Sequence, residues 1–218
     1  FTLYTVIPAT AIGLYLALLA HQRLPGIVVF RTIFSSTVAS SVAVSSVMFL
    51  LLLNPGIGVL NYLIDRTGGP TVSWLTDPTW ALPAVAMTTV WMNLGFATIV
   101  ILAGLQNIPD ELYEAARADG ASPRDEFLHV TLPGLSPTLL FVSVVGVIFA
   151  FQSFGQIHIL TRGGPLDSTT VIVYSIYQEA FLHYNIGLAS AQAVVLFVIV
   201  LLLTLTQFAI AQRWVFYR

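Results

Sequence analysis

Long apolar stretches alternate with short polar ones along this chain of 218 residues. Five stretches are long enough to cross a bilayer, at about 1–20, 30–53, 80–105, 135–160 and 187–211. A spanning helix needs roughly 20 mainly apolar residues, and a helix pairs its own backbone groups within lipid. None of the five stretches carries Asp, Glu or Arg near its middle. The pattern therefore predicts an all-α membrane protein with five spans.

Composition agrees with a membrane protein and excludes other classes. Hydrophobic residues make up 57% of the chain and charged residues only 8%, whereas the surface of a soluble domain needs far more charge. The net charge of -2 argues against nucleic acid as a partner, since nucleic acid binds basic faces. There is no cysteine, so disulfides and thiolate metal sites are excluded.

Arginine placement predicts the orientation, because the gaps between five spans alternate between the two sides of the membrane. One side receives Arg23, Arg31, Arg117, Arg124, Arg213 and Arg218, while the other receives Arg66 and Arg162. Positive residues favour the cytoplasmic side. We therefore expect loop 108–133 and tail 212–218 in the cytoplasm and the first span to start outside. The chain begins inside an apolar stretch, so we expect a sixth span to precede it.

Aromatic residues near the predicted span ends fit that orientation. Trp74 and Trp80 fall near the outer boundary, and Trp214, Phe216 and Tyr217 near the inner one. Amphipathic rings concentrate at membrane interfaces, so these residues are interpreted as anchors.

The second apolar stretch is rich in small polar residues. They are Ser35, Ser36, Thr37, Ser40, Ser41, Ser45 and Ser46. In lipid such residues allow close approach of helices and hydrogen bonds between them. The stretch is expected to pack against protein, and a serine-lined solute path remains open as the alternative.

The loop at 108–133 holds the densest charge of the chain and has strong helix-end signals. Pro109 suits a first helical turn, with Asp110 and Glu111 at the positive end of the helix dipole. Gly120 stands where a left-handed residue would end that helix. Ser122 and Asp125 predict a capped second helix.

Two short helices in this loop would make a compact knuckle. Leu112, Ala115 and Ala116 fall on one face of the first helix, and Leu132-Pro133 is expected to close the second. The small, nearly flat apolar face would let another protein approach closely. A plain solvated loop with good caps is the alternative that spacing alone leaves open.

The motif Glu114-Ala115-Ala116, then Gly120, then Val130-Thr131-Leu132-Pro133 resembles the EAA motif of bacterial ABC importer permeases, with Val130 at the usual Ile. Further stretches resemble the carbohydrate-uptake, maltose-type branch, and the resemblance covers the whole chain. They are Leu105-Gln106-Asn107-Ile108-Pro109, Asp119-Gly120-Ala121-Ser122, Thr161-Arg162-Gly163-Gly164-Pro165 and Gly187-Leu188-Ala189-Ser190-Ala191. The resemblance implies a type I ABC importer transmembrane domain over 1–211, truncated at its start, with five of six core helices present.

The same resemblance implies how the loop works. The coupling residues that dock in a groove of an ATP-binding subunit would be Glu114, Ala115, Ala116, Gly120, Leu132 and Pro133. The chain has no GxxxxGK[ST] phosphate loop, so ATP and Mg²⁺ would belong to that partner and this chain would not be an enzyme. The implied partners are a second homologous permease, two ATP-binding subunits and an extracytoplasmic solute-binding protein, in a bacterial cytoplasmic membrane.

Two helix faces resemble the path-lining parts of maltose-type permeases. The first holds Trp91, Leu94, Gly95 and Thr98, and the second holds Gly146, Phe149, Ala150 and Ser153, with Gln152 beside it. An aromatic ring next to small residues makes a stacking platform with room for a polyol. Gly and Ala also mark helix contacts, so plain packing remains the alternative. The other amides at membrane depth, Asn93, Gln156 and Gln192, each need a hydrogen-bond partner.

The function expected from these features is import driven by a separate ATPase. The later half of the chain looks most like glycerol-3-phosphate and glycerophosphodiester permeases, with trehalose- or maltose-type saccharides as the alternative solutes. The rival class, an ion-coupled secondary transporter, usually keeps ionisable residues near the midplane, and this chain has none there. A bare phosphate would also want an Arg or Lys at that depth, which favours a zwitterionic diester such as glycerophosphocholine.

Overall fold

The computed structural model describes residues 1–22 and 26–212, and every described regular element is helical. The predictions for Arg23, Arg213, Trp214, Phe216, Tyr217 and Arg218 lie outside these residues, as does the tail beyond 212. The helices are α1 (Thr2–His21), α2 (Ile27–Ser35), α3 (Val42–Leu52), α4 (Val59–Arg66), α5 (Pro78–Gln106), α6 (Asp110–Ala118), α7 (Pro123–Glu126), α8 (Leu132–Gly134), α9 (Ser136–Phe151), α10 (Gly155–Leu160), α11 (Ile172–Tyr177) and α12 (Ile186–Ala211). The fold is all-α over the described residues, as predicted.

Three helices are long and apolar enough to cross a membrane on their own, and two bent pairs raise the number of possible spans to five. The single helices are α1, α5 and α12. They reproduce the first, third and fifth predicted spans to within a few residues. The most apolar 18-residue window of α12 contains no buried residue, so this helix offers its surface to lipid or to another subunit.

The prediction of one straight span over 30–53 is wrong. Residues Ile27–Ala39 and α3 meet at 104°, with a break at Ser40-Ser41. The Ser41 hydroxyl accepts a hydrogen bond from the Val44 N–H and so caps a new helix there. Ser45 and Ser46 are buried, and the Thr37 hydroxyl accepts a bond from the Gly95 N–H of α5. The stretch packs partly against protein, in keeping with its small polar residues.

The fourth predicted span, 135–160, is also two helices and not one. Helix α9 ends at Phe151, and α10 begins at Gly155 after a short break. A Cβ at Gly155 would lie 2.9 Å from Val42 Cγ1, so the bare backbone lets α10 approach α3 closely. The break therefore serves the packing of α10 against the bent second stretch.

A stripe of small residues joins α1 to α5, which form the most extensive helix pair of the fold. Ala9, Gly13, Ala17 and Ala20 recur every third or fourth residue on α1 and are buried. A Cβ added to Gly13 would lie 2.7 Å from the Ala97 Cβ. Such stripes let backbones approach in lipid, where dispersion contacts and not water exclusion hold helices together.

One buried amide fixes the segment between α3 and α5. Asn61 of α4 is 3% exposed, and its side-chain nitrogen donates to the carbonyls of Pro55 and Val72. Its side-chain oxygen accepts from the Val72 N–H and from the Trp74 indole. The Trp74 ring in turn meets Trp80 edge to face at 5.4 Å. Helix α4 is therefore held in a defined position.

Candidate functional site

The knuckle of residues 108–133 forms its first helix as predicted. Asp110 and Glu111 occupy the first turn of α6, and Gly120 follows its end with φ of 81°. The Ala121 N–H donates to the Ala116 carbonyl at 2.9 Å, and the Gly120 N–H donates to the Arg117 carbonyl at 3.0 Å. This pair of bonds is the Schellman arrangement, which closes a helix around a left-handed residue.

The second helix of the knuckle starts with a complete capping box. The Ser122 hydroxyl accepts from the Asp125 N–H, and the Asp125 carboxylate accepts from the Ser122 N–H at 3.1 Å. Hydrogen bonds from Ser122 hold the pKa of the Asp125 carboxyl below its ordinary value. The cap is therefore intact at neutral pH and weakens only as the pH falls through that lowered pKa.

The second helix of the knuckle ends at Gly134, directly after Leu132-Pro133, as predicted. A π-helical turn at Phe127–Thr131 follows α7, and Leu132 and Pro133 lie inside α8. The Leu132 N–H bonds the Phe127 carbonyl, five residues back. Widening the helix in this way accommodates proline, which has no N–H to give to the regular ladder. The two residues join the knuckle to α9.

An ion pair that the sequence analysis did not foresee connects the two helices of the knuckle. Arg117 Nε donates to Glu126 Oε1 at 3.0 Å, and a second guanidinium nitrogen donates to Glu126 Oε2 at 3.1 Å. The bidentate contact with Glu126 raises the pKa of the Arg117 guanidinium. Two parallel bonds fix direction as well as distance, so we expect the ion pair to help hold α6 and α7 at their observed angle.

We expect Arg117→Glu and Glu126→Arg each to lower solute uptake by about threefold or more, because each places like charges where a bidentate pair stood. The double exchange restores the opposite charges and should recover most of the uptake. Uptake into proteoliposomes containing the assembled transporter measures both. Arg124→Glu changes the same charge on the same loop, at a residue with no side-chain hydrogen bond to another described residue, and serves as the control. Equal defects in the double exchange and the single variants would contradict the positioning role.

One face of the knuckle is exposed, while the opposite face packs against the core of the protein. Glu114 and Ala115 are exposed and Ala116 is half-buried. Leu112, Tyr113 and Val130 pack on a core that includes the buried Ile108 and Leu135. The Tyr113 hydroxyl lies 3.1 Å from the Thr131 hydroxyl. The result is a small, rigid surface facing away from the spans.

Three of the four predicted path residues of α5, Trp91, Gly95 and Thr98, lie against neighbouring helices of the chain. Trp91 meets Phe49 edge to face at 5.5 Å, and Gly95 approaches Thr37. Thr98 is buried, with its hydroxyl bonded to the Leu94 carbonyl. The role of this face in a solute path stays a prediction, and its observed contacts are those of helix packing.

The predicted residues of α9 divide between packing and an open surface. Ala150 and Ser153 are buried, and the Ser153 hydroxyl bonds the Phe149 carbonyl. Phe149 is 43% exposed, and Gln152 is exposed at the break after α9. Gly146 faces α1, where a Cβ would lie 3.3 Å from a Val6 methyl carbon.

Gly146 and Phe149 do share a small cavity of about 20 Å³ between α1, α5 and α9. Helix α5 contributes Asn93, Phe96 and Ala97 to it, and not the predicted face. The Phe96 and Phe149 rings lie 5.9 Å apart. The cavity therefore combines an aromatic pair with an amide near the middle of the longest span.

The amides at membrane depth fall into two groups. Gln156 donates to the Thr89 hydroxyl, and Gln192 exchanges hydrogen bonds with Ser175. Asn93 and Gln152 make no side-chain hydrogen bond to any other described residue. Asn93 is half-buried and Gln152 exposed, so both can take a partner from outside the chain, while Gln207 Oε1 of α12 is buried without a hydrogen-bond partner among the described residues.

Comparison with known proteins gives concordant matches. The family described as "Binding-protein-dependent transport system inner membrane component" matches residues 9–216. The sn-glycerol-3-phosphate transport system permease protein UgpA of Brucella abortus biovar 1 (strain 9-941) is 36% identical over 220 residues, covering 100% of this chain and 74% of that protein. The protein of the same name from Yersinia enterocolitica serotype O:8 / biotype 1B is 34% identical over 210 residues, covering 95% and 70%.

Solved structures match over nearly the whole chain. A bacterial ABC transporter involved in the import of the acidic polysaccharide alginate superposes with a TM-score of 0.80 at 24% identity, covering 95% of this chain and 77% of that one. The MetNI methionine ABC transporter in inward-facing conformations gives 0.67 at 17% identity, covering 99% and 91%.

Proposed function

The chain belongs to the family of binding-protein-dependent transport system inner membrane components, and on that premise we propose that it forms half of the translocation path of an importer for glycerol-3-phosphate or a glycerophosphodiester. Its fold is that of a type I ABC importer transmembrane domain, as the sequence analysis predicted. The observation that carries the choice of solute is the 36% identity, over the whole chain, with permeases named for sn-glycerol-3-phosphate.

The knuckle is proposed as the docking point for an ATP-binding subunit in the bacterial cytoplasmic membrane. Two ATP-binding subunits need two docking points, and this chain provides one, so a second homologous permease is proposed to provide the other. An extracytoplasmic solute-binding protein completes the assembly. Support comes from the open face of Ala115 and Ala116 on a knuckle held by Schellman, capping-box and ion-pair contacts. ATP and Mg²⁺ are assigned to the partner, and the chain itself carries out no hydrolysis.

The cavity between α1, α5 and α9, at about 20 Å³, has room for about one water molecule, so its lining is proposed as one wall of the path for a solute with both polar and cationic parts and not as a complete binding site. Asn93 offers an amide without an internal partner, and the Phe96–Phe149 pair offers aromatic faces to a quaternary ammonium. Glycerophosphocholine fits this chemistry, since no Arg or Lys lies beside the cavity to neutralise a bare phosphate. The same aromatic pair suits stacking against a sugar, so a trehalose- or maltose-type saccharide is the second candidate.

The deciding experiment measures ATP hydrolysis by the reconstituted complex with its solute-binding protein. Glycerol-3-phosphate, glycerophosphocholine, trehalose and maltose are compared at equal concentrations. Stimulation by a glycerophosphoryl compound and not by the sugars is the expected result. Stimulation by trehalose or maltose alone would show that the solute is a disaccharide, with the importer function retained. A complex whose ATP hydrolysis does not respond to any of the four solutes, and which takes none of them up, would contradict the proposed importer function.

Asn93→Leu should lower kcat/KM for uptake about tenfold, as expected when one hydrogen bond to solute is lost from a dry site. The substitution keeps the side-chain size and removes only the amide. Ile99→Leu, on the exposed side of the same helix, is the control and should leave uptake unchanged. Uptake is measured with radiolabelled solute in proteoliposomes. An unchanged kcat/KM in Asn93→Leu would show that the Asn93 amide does not contact the solute.

A further inference from the structure

Helix α4 presents an open apolar side on the outer part of the molecule. Val59, Tyr62 and Leu63 are 53%, 57% and 55% exposed, although Asn61 holds the helix firmly. Arg66 follows on the same ridge, with its guanidinium carbon 5.5 Å from the centre of the Tyr62 ring. A connecting segment between two spans does not usually hold exposed apolar side chains in a fixed position beside a cation.

One flank of this helix is an apolar groove of about 140 Å³ between α3, α4 and α5. Every lining side chain is apolar, and Phe49, Leu53, Leu63 and Met87 represent the three helices. Exposed Leu51 of α3 and exposed Met87 of α5 continue this surface along the spans. The groove is thus continuous with the exposed apolar surface of α3 and α5, which we expect to face the hydrocarbon of the bilayer.

The other flank of α4 is an open cavity of about 420 Å³ with both polar and apolar lining. Asn61, Tyr62, Asp65 and Thr71 line it, and Val59 lines both this cavity and the apolar groove. Within the described ranges, neither Asp65 nor Arg66 forms an ion pair. Asp65 lines the cavity, and Arg66 follows it beside Tyr62, so an anionic and a cationic side chain are both available at the C-terminal end of α4.

We propose that these two flanks bind one glycerophospholipid of the outer leaflet, with an amine-bearing headgroup such as phosphatidylethanolamine. An acyl chain lies in the apolar groove, the phosphate pairs with Arg66, and the headgroup amine pairs with Asp65. A water-soluble solute would make no favourable contact with a wholly apolar groove. A docking protein would not need the groove to be continuous with the expected hydrocarbon-facing surface. A lipid with both charges in its headgroup matches the apolar groove, its continuity with that surface, and the neighbouring Asp65 and Arg66.

The test uses the assembled transporter in nanodiscs of equal parts phosphatidylethanolamine and phosphatidylglycerol. The probe is phosphatidylethanolamine with a photoactivatable diazirine in its acyl chain, and labelled residues are located by mass spectrometry after digestion. We expect label at Phe49, Leu53, Leu63 and Met87 at several times the level on the exposed α12 residues Val195 and Phe197. A phosphatidylglycerol probe should label the groove less.

Two substitution classes separate the lipid site from general bilayer contact. Asp65→Asn and Arg66→Gln should each lower labelling of the groove several-fold. Leu63→Trp should fill the groove and abolish its labelling. Labelling of α12 and the size-exclusion profile should stay unchanged in all three variants. Equal labelling of the groove and of α12, or no response to Asp65→Asn and Arg66→Gln, would overturn the proposal. Absence of label in the complex, with label appearing when the solute-binding protein or the second permease is omitted, would assign the surface to that protein instead.

Discussion

Gly120→Val should abolish solute uptake while leaving the permease folded in the membrane. Gly120 has φ of 81°, a conformation that a β-branched residue adopts only at a cost of roughly 1–3 kcal/mol. No neighbour lies within 4 Å of a Cβ placed there, so the effect comes from backbone conformation alone and not from a clash. The strain is relieved by opening the Schellman turn, which displaces Ala115 and Ala116.

Displacing that face should uncouple the motor, because close packing loses contacts steeply with distance. Solute-stimulated ATP hydrolysis and uptake, measured on the same reconstituted sample, should fall together to background. Gly120→Asn is the matched control, since asparagine tolerates left-handed φ, and it should retain most of the activity. Ala116→Glu should fail as well, by burying an unpaired charge at the contact. Normal coupling in both Gly120→Val and Ala116→Glu would show that the knuckle is not the transmission element.

Gly13→Leu should prevent the chain from reaching its folded state. A Cβ alone would come within 2.7 Å of Ala97 Cβ, and leucine adds three more carbons at the tightest point between α1 and α5. Overpacking of a well-packed core typically costs about 1–3 kcal/mol, and here two long spans would have to separate. We expect at least a tenfold loss of monodisperse protein after mild detergent extraction.

Gly187→Leu is the control for this substitution. Gly187 is also a helical glycine of a membrane span, but nothing lies within 4 Å of a Cβ at that position. Its yield and elution profile should match those of the unmodified chain. If Gly13→Leu is extracted in the same form and amount, close contact between α1 and α5 is not what holds the fold together.

Features set by neighbours in sequence could be predicted, and features set by distant packing could not. Gly120, Ser122 and Asp125 define the ends of the knuckle helices through contacts within a few residues, so their spacing was sufficient. The Arg117–Glu126 ion pair needs the angle that the turn creates between two helices, which no spacing rule supplies. The start of α3 at Ser41 had a local signal, a serine able to cap a helix, but the continuous hydropathy of the stretch concealed it.

The candidate path shows the same division. Helical periodicity placed Gly146 and Phe149 on one face, and both line the same small cavity, but periodicity does not show which face of α5 lies opposite them. Asn93 and Phe96 hold that place, whereas Trp91 and Gly95 lie against the bent second stretch. The choice of face depends on how α1 and α3 pack around α5, and that is a property of the whole fold.

The helical passage from the knuckle into the fourth span has a mechanical consequence. The backbone turns by 62° between the two, yet the Leu135 N–H bonds the Thr131 carbonyl and the Leu139 N–H bonds the Leu135 carbonyl across the bend. No flexible linker separates Pro123 from Phe151. If the knuckle is the docking point proposed above, a displacement of the knuckle should move α9 with it, because the helix continues through the bend. The hydrogen bonds at this corner would then help to determine how far the spans move.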